Sequence, residues 1–306
     1  MPNAYVYTAS GGSEVETFAD LPRPVPGASE ILIKVRAAGV NPVDWKKRTG
    51  FGPPGAPGPQ FPVVFGGEAS GIVEEVGPGV TDFAVGDEVF GNTSAGGYAE
   101  YTLLPVQITA RKPADLSFVD AATLPIAAAT AYDGVQQLAL DPGATLVVIG
   151  AGGGVGIAAV QIAVHAGVVV IGVASAGKKA LIESAGATHV ESGAGVADRI
   201  AAAAPDGVDA IYDLVGGEAL EAVAPVLTDP TKLITAADRE TVARLGGSPV
   251  ERKRNREVLD AVAALAVEGV LKPSVTRTFP LSQAPAALRL VEGGHAEGKI
   301  VIEVGP

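Results

Sequence analysis

Ala151-x-Gly153-x-x-Gly156 is a pattern that can hold a pyrophosphate. Glycines at this spacing let the backbone come close to an anion, and a helix that starts there turns free N–H groups and its positive dipole end toward the phosphates. The flanking residues supply the elements such a turn needs. Thr145-Leu-Val-Val-Ile149 is a β-branched run of strand length. Ala158, Ala159, Ile162, Ala163 and Ala166 suit a helix. A second β-branched run, Val168 to Ser175, closes a β-α-β unit, the context in which a glycine motif is informative. Gly152 and Gly153 are expected to turn tightly under the phosphates, and Gly156 to let helix and strand pack closely. Gly152, Gly153, Gly154, Val155 and Gly156 are the expected phosphate-binding residues. Five glycines within seven residues would weaken a turn that served structure alone.

The end of the second strand bears on which dinucleotide fits. NAD-binding chains place an Asp or Glu there to hold the ribose hydroxyls. Here the strand ends Val173-Ala-Ser175-Ala-Gly-Lys178-Lys179, with no carboxylate before Glu183. A hydroxyl and two ammonium groups attract a 2′-phosphate, so Ser175, Lys178 and Lys179 point to NADPH. A membrane span over Leu146 to Ala174, where only Gln161 and His165 are polar, is disfavoured. The segment opens on glycines, and no basic or aromatic flanks mark membrane boundaries.

The chain has 306 residues, 47% of them hydrophobic, enough for two domains or one large one. A net charge of −12 argues against nucleic acid and anionic membranes as partners. There is no cysteine, hence no disulfide, no thiolate nucleophile and no cysteine-based metal site. Met1-Pro-Asn-Ala-Tyr-Val-Tyr7 lacks a basic segment before an apolar core, so a cytoplasmic location is expected.

Residues 1 to about 120 read as short strands between Gly/Pro turns, a small barrel or sandwich. Gly50 to Pro62 is a Pro/Gly-rich loop, expected to shape a pocket. Leu116 to Gln137 reads as helical, with Asp115 or Ser117 as its cap. Beyond the β-α-β unit, strands are expected at Thr188 to Glu191, Val208 to Asp213 and Lys232 to Thr235, alternating with helices. That alternation implies a parallel sheet covered on both faces. A long helix at Glu257 to Glu268, a helix from Ser282 to Glu292 and a last strand from Lys299 to Val304 follow.

These segments carry a resemblance. Val35-Arg-Ala-Ala-Gly-Val-Asn-Pro-Val-Asp44, Gly66-Gly-Glu-Ala-Ser-Gly-Ile-Val73, Gly86-Asp-Glu-Val-Phe90, Gly97-Tyr-Ala-Glu-Tyr101, Leu124 to Tyr132, the glycine motif and His295-Ala-Glu-Gly-Lys-Ile-Val301 are similar to the medium-chain dehydrogenase/reductase superfamily. Within it the chain resembles the zinc-free quinone oxidoreductase (zeta-crystallin-like) family. The resemblance implies an α/β fold: a GroES-like β-rich catalytic domain, residues 1–122 and 272–306, plus a Rossmann doubly wound parallel sheet, residues 123–271. It also implies NADPH as cofactor and hydride transfer to a small-molecule quinone or enone. Zinc-dependent relatives place Cys at Asn41 and His at Gly67. Neither residue here is a useful zinc ligand, and His165, His189 and His295 lie in different elements, so no metal is expected.

The resemblance places Asn41 beside the nicotinamide, Thr130 at the cofactor cleft and Lys299 at the cofactor. Lys46 is a candidate for substrate contact or proton supply. Asn41 reads as an exposed loop residue, and Tyr98 and Tyr101 as structural strand residues. Two alternatives stand beside the reductase. One is an enoyl-thioester reductase on the same fold, for which the basic runs 46–48 and 252–256 would be carrier tracks or solvated faces. The other is an NADPH-binding structural or regulatory protein with little turnover. A homodimer through a strand at Gly247 to Arg252 is possible, although its charged end discourages edge pairing.

Overall fold

The protein is described by a computed structural model covering residues 3–52, 55, 58–294 and 296–305. His295 and four residues of the Pro/Gly stretch 50–62 lie outside the described residues. The chain forms two units. One comprises Met1–Ile126, Arg254–Val267 and Val275–Pro306; the other comprises Ala127–Lys253 and Glu268–Ser274.

The first unit is built on the long strand Glu30–Val40. Its Ile-Leu-Ile-x-Val run is buried on both faces, so the segment reads as nearly continuous apolar sequence rather than as an alternation. Three strands pair with it antiparallel. They are Glu68–Val76, Tyr101–Pro105 and, from the far end of the chain, Lys299–Glu303, whose Ile300 lies opposite Val40. Val275–Pro280 extends the sheet on one side; Glu88–Asn92 and Thr109–Arg111 extend it on the other. A smaller sheet joins Glu16–Asp20, Asn3–Tyr7 and Val63–Val64. Ile31, Ile33, Val73, Tyr98, Phe279 and Ile302 share one core. The helix Arg256–Val267 belongs to this unit, and Arg256 donates to the carbonyls of Thr109 and Val106.

The second unit is a six-stranded parallel sheet. Its order is Thr188–Glu191, Val169–Ala174, Thr145–Ile149, Ala210–Asp213, Leu233–Thr235, Ser248–Pro249. In chain order that is 3-2-1-4-5-6, the doubly wound arrangement, with its switch point beside the strand that carries the glycine turn. Val147, Ile149, Ile171, Val173 and Ile211 fill the core under the helices. The alternation read from the sequence thus gives the sheet its strands.

Two local expectations are corrected. Leu116 to Gln137 is not a single helix. Phe118–Ala121 is capped by Ser117, whose hydroxyl accepts from the Asp120 N–H; a π-helical turn, Leu124–Ala128, follows, and then the helix Ala129–Leu138. Pro125 lacks an N–H, which interrupts the ladder there. Tyr98 is not a strand residue: the strand begins at Tyr101, and Tyr98 is fully buried.

Arg48 ties the first unit together. It is 1% exposed, donates Nε to the Gly11 carbonyl, and pairs with Glu16 and with Glu292, the latter at 2.7 Å. These partners raise its affinity for the proton despite burial. The Glu16 carboxylate is buried too, so removing the guanidinium leaves it the neutral Tyr5 hydroxyl in place of a charged partner. Arg48→Met is expected to lower the unfolding free energy by about 3–5 kcal/mol, as for one partner taken from a buried pair. Urea denaturation of both proteins measures this; a loss below about 1 kcal/mol would place the pair with ordinary surface ion pairs.

Candidate active site

In the first unit the sequence Asn41-Pro-Val-Asp44 starts a short helix, Pro42–Arg48. Pro42 suits the first helical position, and Asp44 turns back to accept the Asn41 N–H at 2.8 Å. Asp44 is also held by the Gly67 N–H at 3.1 Å and the Tyr98 hydroxyl at 2.9 Å. Burial pushes its carboxyl up to about 6, against the lowering effect of these hydrogen bonds, and the Glu68 charge adds to the rise. Burial and the Asp44 charge likewise hold the Tyr98 phenol well above its ordinary range.

Asn41 itself is buried, at 4% exposure, which corrects the exposed-loop reading. Its amide lies between two ionic groups. Nδ2 donates to Glu68 Oε1 at 2.7 Å, and Oδ1 accepts from Lys299 Nζ at 2.7 Å. Lys299 also donates to Glu68 Oε1 at 2.8 Å. Lys299 is therefore a buried member of an ion pair, not a solvated charge. The sheet makes this possible: Lys299 opens the strand that pairs with Ala37–Val40, and Glu68 opens the strand that pairs on the other side. Gly39 provides the space, since a Cβ there would lie 2.0 Å from Glu68 Oε1.

Lys46 lies on the same helix as Asp44, with its ammonium 5.8 Å from the centre of the Trp45 ring, apart from the buried group. In the basic runs Lys47, Lys253 and Arg254 are exposed, whereas the other arginines are engaged. Arg48 is buried, Arg256 pairs with Asp82 at 3.0 Å, and Arg252 pairs with Asp133 at 3.2 Å. Among the described residues no group of three His, Cys, Asp or Glu side chains could hold a metal ion.

In the second unit the tight turn runs from Gly150, with φ +83°, to Gly153, whose N–H donates to the Gly150 carbonyl at 3.1 Å. Gly153 is the N-cap of the helix Gly154–His165. The N–H groups of Gly154, Val155 and Gly156 therefore occupy the first turn, where a helix leaves donors without intrahelical partners. Gly156 has the close-packing role expected: a Cβ there would sit 2.3 Å from the Gly150 carbonyl oxygen. A Cβ on Gly152 would meet the Lys178 side chain at 2.7 Å, so that lysine lies against the phosphate turn. Ser175 is exposed at the start of the 3-10 turn Ala176–Lys178, and Lys179 begins the next helix, 3.8 Å from Glu183. Thr130 is buried in Ala129–Leu138; its hydroxyl accepts from Arg252, and its carbonyl accepts from Tyr212.

Glu68, Asp44 and Asp213 were not assigned roles from sequence. Gly66-Gly67-Glu68 is the retrospective signal for the first: one carboxylate opening an apolar strand next to two glycines needs internal partners. Asp213 ends its strand by accepting from the N–H groups of Val215 and Gly216 and from Thr235, which shapes the following loop.

Residues 27–114 match the family model described as alcohol dehydrogenase GroES-like domain, and residues 185–302 match that described as zinc-binding dehydrogenase. An NADPH-dependent alkenal/one oxidoreductase of the Arabidopsis thaliana chloroplast is 31% identical over 98% of this chain and 78% of its own. The polyketide synthase GfsB of Streptomyces halstedii is 36% identical over 90% of this chain, which spans 5% of that protein's length. The quinone oxidoreductase structure from Coxiella burnetii superimposes with a TM-score of 0.88 at 30% identity, covering 99% of each chain. With likeness of this extent in both sequence and fold, the chain belongs to the quinone oxidoreductase family of the medium-chain dehydrogenase/reductase superfamily.

Proposed function

We propose that this chain is an NADPH-dependent reductase that passes hydride to a quinone or to an activated alkene, an α,β-unsaturated carbonyl, without zinc. The observation that carries this reading is the phosphate turn of the second unit. There Gly150 to Gly156 opens a helix, Lys178 lies over Gly152, and the second strand ends at an exposed Ser175 with no carboxylate before Glu183. Likeness to an NADPH-dependent alkenal/one oxidoreductase and to a quinone oxidoreductase supports the same reading. In this reading residues 1–122 with 272–306 are the catalytic domain and 123–271 the cofactor domain.

NADPH bound at the turn supplies the hydride. Gly152 and Gly153 bring the backbone close to its pyrophosphate, and the N–H groups of Gly154, Val155 and Gly156 hold it, with the helix dipole behind them. Ser175, Lys178 and Lys179 hold the 2′-phosphate. The exposed pair of Lys179 with Glu183 is weak enough to yield to that contact. Thr130 contacts the cofactor in the same unit. In the first unit Asn41 positions nicotinamide and acceptor, and the N–H donors of Asn41 and Lys299 steady the oxygen on which negative charge builds. Lys46 contacts the acceptor or supplies the proton. A homodimer is part of the proposal, through the outer edge of the parallel sheet, where Ser248–Pro249 is a two-residue strand. So is a cytoplasmic location; among the described residues no helix is long and apolar enough to cross a membrane.

An enoyl-thioester reductase is the second reading, favoured by the match to a polyketide synthase. The ion pairs of Arg48, Arg252 and Arg256 count against the basic runs as a carrier track.

NADPH oxidation measured across quinones, simple enones and enoyl thioesters decides. Turnover with quinones or enones, unchanged after prolonged chelation, is expected. Turnover with thioesters alone selects the second reading, and cofactor binding with no oxidation by any acceptor selects a structural role. Loss of activity on removing a stoichiometric zinc would overturn the metal-free mechanism. Lys179→Ala is expected to weaken NADPH binding about ten- to a hundredfold, the size of one charge-assisted contact, and to leave NADH binding almost unchanged. Titration of both cofactors checks this; equal losses, or a wild type that prefers NADH, would refute it. Asn41→Ala is expected to lower kcat about tenfold to a hundredfold, roughly 1.4 to 2.7 kcal/mol of barrier. Because Asn41 is buried between ions, the same change is expected to cost about 1–3 kcal/mol of stability. Unchanged kcat/KM would leave it only a structural role.

A further inference from the structure

Glu68 has no exposure to solvent and opens a strand of the main sheet in the first unit. Three donors converge on its carboxylate: Asn41 Nδ2 at 2.7 Å and Lys299 Nζ at 2.8 Å on Oε1, and the Ile126 N–H at 2.7 Å on Oε2. A carboxylate only accepts and an ammonium only donates. The amide of Asn41, lying between them, therefore has one orientation, with Nδ2 toward Glu68 and Oδ1 toward Lys299.

The donor count then follows. Asn41 has two amide hydrogens and uses one on Glu68. Lys299 has three ammonium hydrogens and uses one on Asn41 and one on Glu68. One N–H of each is left without a partner among the described residues. Two neighbouring donors, one of them cationic, in a buried and preorganised setting are what an oxygen gaining negative charge requires.

We infer that Glu68 is a positioning residue for the reaction: it fixes the Asn41 amide and anchors the Lys299 ammonium, so that one N–H of each is presented to the carbonyl oxygen of the acceptor. The inference rests on the reductase reading. Glu68 touches neither acceptor nor cofactor in this role. It acts through the two residues it holds, and Gly39 is the residue whose missing Cβ lets it do so.

Glu68→Gln keeps the shape, removes the charge and introduces an N–H that competes for Asn41 Oδ1. Steady-state kinetics with the best quinone or enone, together with NADPH titration, read the result. A fall in kcat of about ten- to a hundredfold is expected, with acceptor KM and NADPH Kd nearly unchanged, the pattern of an interaction realised only in the transition state. The paired change Glu68→Gln with Lys299→Met removes both charges, leaves no lone buried ion and keeps the test usable if the single variant does not fold. Its kcat is expected to lie below that of Lys299→Met alone, because the Asn41 amide loses its orientation as well; a kcat equal to that of Lys299→Met alone overturns the role of Glu68. Wild-type kcat in either folded variant, or an effect confined to KM or to thermal stability, overturns the role of Glu68 and leaves the reductase reading standing. A wild type that fails to oxidise NADPH with every quinone and enone tested overturns both.

Discussion

The buried contact between Lys299 and Glu68, bridged by Asn41, is the constraint around which the first unit is arranged. Taking an ammonium and a carboxylate out of water costs several kcal/mol per ion, which mutual attraction offsets only when the remaining donors and acceptors are satisfied. The fold meets that condition for the carboxylate piece by piece, and leaves one N–H each on Asn41 and Lys299. The last strand delivers Lys299 to one side of Glu30–Val40, and the strand Glu68–Val76 delivers Glu68 to the other. Gly39 leaves the gap between them, and the Ile126 N–H satisfies the second carboxylate oxygen. Beside this group, Asp44 holds the Asn41 backbone and is held in turn by Gly67 and Tyr98. A chain segment nearly 260 residues from Asn41 in sequence is thus needed to complete its surroundings.

In the proposed reaction the same elements supply the electrostatics. Beside Asn41 this chain has an ammonium ion fixed against a carboxylate. A positive charge and an oriented amide can oppose charge building on an acceptor oxygen without any metal. The second unit answers a different electrostatic demand by different means. In the proposed reading it uses a helix terminus, backbone N–H groups and two lysines at the end of a strand, suited to phosphates rather than to a transient oxyanion.

Most of the second unit was legible in the sequence because its signals are local. A β-branched run, a glycine turn and an alanine-rich helix specify themselves over a few residues, and Thr188–Glu191 was placed to the residue. Within the turn the sequence shows where the glycines are but not that Gly150 is the one with positive φ. The site in the first unit was legible only in part. Asn41 and Lys299 could be singled out through resemblance, but their burial and mutual contact depend on a long-range strand pairing that no local pattern encodes. Glu68 passed unnoticed as a site residue for the same reason. The Leu116 to Gln137 segment was misread because its alanine content outweighed Pro125, which breaks the helical ladder into separate pieces.

A double-mutant cycle on kcat for Asn41→Ala and Glu68→Gln, run on the best acceptor with folded proteins, tests the central claim most directly. If Glu68 orients Asn41 as well as anchoring Lys299, removing it after Asn41 is gone costs less than removing it from the wild type, because only the Lys299 share remains, and the two effects fall short of additivity by about 0.5–3 kcal/mol, the range for residues in direct contact. Additive losses would contradict the account, because they would mean that the carboxylate and the amide act on the reaction independently.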